Sequence, residues 1–305
     1  MRIANPIYDA VFKYLMTSDI KVAKLIISSL INKPVLELTI DPTEIVINKD
    51  RKSIKKESLT VFRLDFAAKV KEDDGTERLI IIELQKAKFI SDIMRFRKYL
   101  GAQYMKKTHI YEINGENIPL PIYPIYILGH NLDNFDEEAI YIKREFYNAI
   151  TNKKLTKRNN IFIDGLTHDG LIIQIPRVNQ RIEDKALEIN SHLKELLDIF
   201  DQTKHDDDSE HFLEIDRDSA PEWLKPILRE LEKAAADAEV RNKMQLEDDY
   251  IGELEDLERT IENRDKIIEV KNHLIESKDK AIESKDKAIE SKDKLIAELK
   301  ALLKK

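Results

Sequence analysis

Asp65, Glu83 and Gln85 are three oxygen-bearing side chains whose spacing could hold a hard divalent cation. Such cations prefer carboxylate, carbonyl and water oxygens. A cation held there would lower the pKa of a bound water and polarise a phosphoryl oxygen. Convergence requires two neighbouring strands, because residues two apart on a strand share a face. In residues 59–70 the apolar positions Phe62, Leu64, Phe66, Ala68 and Val70 alternate with Arg63, Asp65 and Lys69. Asp65 therefore interrupts the polar face of a half-buried strand. Residues 79–84, LIIIEL, are apolar on both faces, as a central strand should be. Glu83 is then a carboxylate where burial is costly without a compensating partner.

The turn between these strands leaves two registers open. A three-residue loop of Asp73, Asp74 and left-handed Gly75 pairs Glu72 with Thr76 and brings Asp65 opposite Glu83. A two-residue Asp74-Gly75 turn sets Asp65 against Leu84 instead. The cation site needs the first register, with Gln85 on the Glu83 face. The alternative is a polar network at the strand edge, Asp65 paired to Arg63 or Lys69 and Glu83 to a neighbouring base.

Asp in one strand, a short turn, then Ile82-Glu83-Leu84-Gln85 resembles the PD-(D/E)XK nuclease superfamily, specifically the recombination-promoting nucleases of the Rpn type, also labelled PD-(D/E)XK family transposases. The segment Asp9-Ala10-Val11-Phe12-Lys13-Tyr14-Leu15 is similar to that family's opening, and Arg95 and Tyr99 follow the motif in a helix. The resemblance covers roughly the first 130 residues. It implies an α/β fold with a restriction-endonuclease-like αβββαβ core, a mixed central sheet and a long C-terminal helical extension. It further implies a metal-dependent DNA endonuclease tied to recombination, mobile elements or phage biology. The ion would be Mg2+, with Mn2+ or Ca2+ as substitutes, held by Asp65, Glu83 and the Leu84 backbone carbonyl, with Asp9 as a further candidate. Arg95, Lys13 and Lys86 are candidates for substrate phosphate. Most of the superfamily carries lysine where Gln85 stands; glutamine orients water by hydrogen bonds and cannot act as a base. The second functional reading is an inactive nuclease-like scaffold acting through its helical tail in assembly or partner binding.

Asn5-Pro6 suggests a helix to about Met16, followed by one over 19–32. On the first, Asp9 and Lys13 are spaced to pair. A strand is expected within 35–47, and the basic stretch 48–58 reads as a solvated loop or as a phosphate-contacting one. A helix over 91–107 would bury Ile93, Phe96, Leu100 and Gln103 or Tyr104, leaving Arg95 and Tyr99 on another face. Further strands are expected at 121–132, 140–150 and 161–175. The seven histidines lack zinc-site spacing and receive no role.

The chain has 305 residues, no cysteine and a net charge of -7. It carries +4 over residues 1–190 and -11 over 191–305. Absence of cysteine excludes disulfides and thiolate chemistry. No apolar run is long enough to span a membrane, so the expectation is a soluble, cytoplasmic protein. Three regions are expected: a nuclease-like domain over 1–182, a helix and acidic linker over 183–220, and a charged helical tail over 221–305. In the tail ESKDKAI begins at Glu276 and Glu283 and recurs as ESKDKLI at Glu290, so Ile261, Ile268, Ile275, Ile282, Ile289 and Ile296 repeat every seven residues. Three residues after the first five stand Arg264, Lys271, Lys278, Lys285 and Lys292, where a strong seam wants leucine. The tail is either a coiled coil, making the protein a homo-oligomer, or a solitary charged helix.

Overall fold

A computed structural model describes residues 1–41, 66–88, 92–107, 109–113, 115–156, 160–180, 190–206 and 209–302. The chain opens with β1 (Arg2–Ala4), then α1 (Asp9–Ser18) and α2 (Ile20–Ile31). α1 begins later than Asn5-Pro6 suggests, because the Asn5 side chain is used elsewhere. Its Nδ2 donates to Gln202 Oε1 at 2.8 Å and to the Glu210 carbonyl at 2.9 Å, while its Oδ1 accepts from the Ile7 amide. α2 is capped at both ends as its sequence suggests: Asp19 accepts from the Lys21 amide, and Asn32 terminates it in the left-handed conformation.

Next come β2 (Val35–Asp41), β3 (Phe66–Glu72), β4 (Glu77–Gln85), α3 (Asp92–Met105), the small hairpin β5 (Ile110–Ile113) and β6 (Glu116–Pro119), and β7 (Ile122–Leu128). β8 (Ala139–Ile142), α4 (Ile161–Leu166) and β9 (Gly170–Gln174) follow. The main sheet is six-stranded and mixed, in the order β2-β3-β4-β7-β9-β8. β4, β7 and β9 are parallel, and the other neighbours are antiparallel. The β3–β4 hairpin adopts the three-residue loop: Glu72 donates its amide to the Thr76 carbonyl, and Gly75 sits at φ +82°. Pairing runs from Lys71↔Glu77 to Phe66↔Ile82, the register that the cation site needs.

The sheet lies between two unequal apolar layers. Even-numbered β4 residues Ile80, Ile82 and Leu84 join Phe66, Ala68 and Val70 in the larger core, with Val11, Phe12, Leu15 and Met16 of α1. Odd-numbered Leu79 and Ile81 join Ala67, Leu120 and Ile122 in a smaller one, against which Leu100 of α3 packs. Burial on both sides is what a strand such as LIIIEL requires.

Two expectations are corrected here. Residues 161–166 form a helix rather than a strand, started by the Asn160 side chain accepting from the Ile163 amide; only Gly170–Gln174 is extended. On α3, Ile93 is 63% exposed while Tyr99 is 3% exposed, so the inward row is Phe96, Tyr99, Leu100 and Gln103 at helical spacing. Within 183–220, where a helix and an acidic linker are expected, the described residues hold a helix and two strands. α5 (Ser191–Leu197), β10 (His205–Asp206) and β11 (Ser209–Glu214) are built into the fold, and β11 pairs antiparallel with β1 in a second sheet. The Met1 amino group donates to the Ile215 carbonyl at 2.7 Å. α6 (Lys225–Ala236) buries Ile227, Leu228, Leu231 and Ala234 and packs on α1 and β1.

One compact unit therefore comprises Met1–Glu247 and the second Asp248–Lys305. α7 (Ala238–Leu302) begins in the first unit and makes up the described part of the second. No helix among the described residues is long and apolar enough to cross a membrane.

Candidate functional site

Glu83 and Gln85 end the central strand β4 on its odd-numbered face, which lies towards α3. Each is only 4% exposed. Strand alternation brings them together there, and the run of isoleucines before them forces the strand into the middle of the sheet. Across the parallel ladder Glu83 pairs with Tyr126 of β7, whose ring lies 5.2 Å from that of Phe96 on α3. Burial, then the Glu83 charge and the neighbouring Tyr104, push the Tyr126 hydroxyl up to about 12. Tyr126 is thus a neutral hydroxyl near neutral pH.

The Gln85 side chain is buried, and neither its Oε1 nor its Nε2 finds a hydrogen-bond partner among the described residues. A buried amide in that condition is rare and suits a site meant to meet water or a ligand oxygen. The Gln85 carbonyl accepts from the Gly129 amide at 2.7 Å. Gly129 has no room for a side chain: a Cβ there would stand 2.2 Å from the Lys86 carbonyl oxygen. The next residue, His130, is half-buried, and burial followed by the charge of Lys88 lowers its pKa.

The expected site residues divide. Glu83 and Gln85 share one face of one strand. Asp65 and the basic stretch 48–58 lie outside the described residues, as does the Arg95 side chain. The Leu84 side chain belongs to the larger core, and its backbone pairs with Ile127. Asp9 begins α1 in the layer on the other side of the sheet, where its amide donates to the Glu247 carboxylate at 3.0 and 3.2 Å. Lys13 is exposed on the same helix. Lys86 also points to that side, its Nζ 3.7 Å from the centre of the Tyr8 ring. Neither Asp9 nor Lys86 shares the Glu83 face.

Sequence reading passed over Tyr126 and His130. Tyr126 lies inside an apolar strand, where a tyrosine reads as core, and only strand pairing reveals its neighbour. Two further polar groupings are present. Tyr104 Oη is 2.8 Å from His168 Nδ1, beside the Arg144–Asp169 pair. Buried Glu72 is flanked by Lys33 and Arg78.

The fold and site thus define an α/β protein with a buried carboxylate and amide at the end of a central strand. Among the described residues, no three His, Cys, Asp or Glu side chains gather closely enough to hold a metal. Comparison with protein-family models, with curated proteins and with solved structures finds no match to this chain.

Proposed function

We propose that this protein is a metal-dependent DNA endonuclease of the PD-(D/E)XK type. The observation that carries the reading is the pairing register. Glu83 and Gln85 are buried side by side on β4, and the β3–β4 pairing from Lys71↔Glu77 to Phe66↔Ile82 is the register that the sequence expectation of Asp65 opposite Glu83 requires. The order α2, β2, β3, β4, α3, β7, with β7 parallel to β4, is in keeping with the αβββαβ plan.

The donors fit a hard cation: carboxylates from Asp65 and Glu83, the Leu84 carbonyl, and a buried amide whose oxygen meets no described donor. Bound there, Mg2+ would supply Lewis acidity toward a phosphoryl oxygen and a more acidic water. Gln85 would orient that water through its amide, since it cannot accept the proton. Tyr126 keeps its proton near neutral pH and can donate a hydrogen bond beside Glu83. α3 shields this face of the sheet from solvent.

The test is cleavage of supercoiled plasmid with and without Mg2+ by wild type, Asp65→Ala and Glu83→Ala, each confirmed folded by circular dichroism. Metal-dependent nicking by wild type alone supports the reading. Equal behaviour of all three proteins across Mg2+, Mn2+ and Ca2+ overturns it.

A further inference from the structure

The distal part of α7 presents an apolar stripe that is exposed among the described residues. Ile261, Ile268, Ile275, Ile282 and Ile289 are each 53–56% exposed, and Ile296 is 46% exposed. Five residues immediately before isoleucines of this row widen it: Ile267, Leu274, Ala281, Ala288 and Leu295. The spacing is seven residues, the repeat with which one helix tracks another, whereas a helix lying on a globular core follows 3.6. The intrahelical ion pairs lie off the stripe: Glu283–Lys287 at 2.7 Å and Glu290–Lys294 at 3.0 Å. The stripe itself stays clear of them.

Charge complementarity selects the occupant. Each ESKDKAI unit carries two acids and two lysines, so it is neutral and does not repel a copy of itself. Along the seam one layer per heptad is isoleucine and the next is Lys271, Lys278, Lys285 or Lys292, each followed by Asn272, Asp279, Asp286 or Asp293. Two copies aligned in parallel would stack lysine on lysine in every heptad. Two antiparallel copies set each lysine layer against an isoleucine of the other copy. The lysine stem then covers the isoleucine while its ammonium reaches outward toward aspartate.

We infer that residues 261–296 form the interface of an antiparallel homodimer with a second copy of this chain. The inference is independent of the nuclease reading, since it uses no residue of that site.

The test uses the full chain. Light scattering after gel filtration should give twice the 35.6 kDa chain mass at high concentration, falling toward one chain on dilution. Ile275→Asp with Ile282→Asp should be monomeric throughout. Ser277→Asp with Ser284→Asp adds the same charge away from the isoleucine row and should leave the dimer in place. Absence of cysteine lets one introduced thiol report direction through a spin label. Ser277→Cys lies near the middle of the stripe and should give a short distance between copies. Ser291→Cys should give roughly 40 Å, from a rise of about 1.5 Å per residue on either side of that middle. Two short distances, a wild type that stays monomeric at every concentration, or an aspartate variant that still dimerises would each overturn the proposal.

Discussion

α6 and the distal part of α7 are both charged helices with regularly spaced apolar residues, yet one is buried and the other is not. α6 places Ile227, Leu228, Leu231 and Ala234 on a stripe wide enough to cover α1 and β1. Distal α7 offers a narrower stripe whose isoleucine row repeats once in seven residues, about two helical turns, drifting around a straight helix. Periodicity alone announces a helix in both. The width and drift of the stripe separate a helix built for its own core from one built for another helix.

Truncation should break this contrast most visibly. Leu231→Ala should lower the stability of the globular unit by about 2 to 5 kcal/mol, because it leaves a cavity beneath α6. Ile275→Ala, of similar chemistry, should move the same thermal transition by less than about 0.5 kcal/mol in dilute solution. A large effect of the second would mean that the tail contributes to the core.

Charges allow the same comparison. Glu72 is fully buried between Lys33 and Arg78, whereas Glu283 pairs with Lys287 in solvent. Arg78→Ala should cost about 2 kcal/mol in urea unfolding, since one partner of a buried carboxylate is lost while Lys33 remains. Glu283→Gln should reduce tail helicity by only roughly 0.2 to 0.5 kcal/mol, read from ellipticity at low salt.

Asp41 lies between these extremes. Partial burial acts to raise its carboxyl, but hydrogen bonds from His109 and Lys106, with their charges, outweigh it and hold the pKa below the ordinary aspartate value. The folded-state pKa is depressed, so the stabilisation is present above the unfolded value and fades as pH falls through the folded one. Wild type should therefore lose more stability than Asp41→Asn between neutral pH and pH about 3, followed by thermal melting. Equal acid sensitivity of the two would mean that Asp41 contributes nothing. This effect should be the smallest of the globular unit, because Asp41 is partly exposed.

Much of the fold was legible in local signals. The place of the β3–β4 turn was legible from Asp73-Asp74-Gly75, although the choice between its two registers was not, and strand alternation put Glu83 and Gln85 on one face of β4. Asp19 and Asn32 marked the ends of α2 for equally local reasons. Other readings failed where distant contacts decided. Asn5 looked like a helix cap but is tied to residues about 200 positions away. Tyr99 was expected on a face away from the buried row of α3, yet it is only 3% exposed.

The sequence by itself determined the elements that depend on neighbours within a few residues: the place of the β3–β4 turn, the caps of α2, the apolar run of β4 and the heptads of α7. Only the tertiary structure decided that β11 closes on β1 and that α6 belongs to the globular unit. It also decided that Tyr126 stands beside Glu83, while Asp9 and Lys86 occupy the opposite layer. The physical reason is the range of the forces at work. Turn geometry and capping act through bonds and short hydrogen bonds, whereas the choice of neighbour across a sheet depends on which distant surfaces bury together.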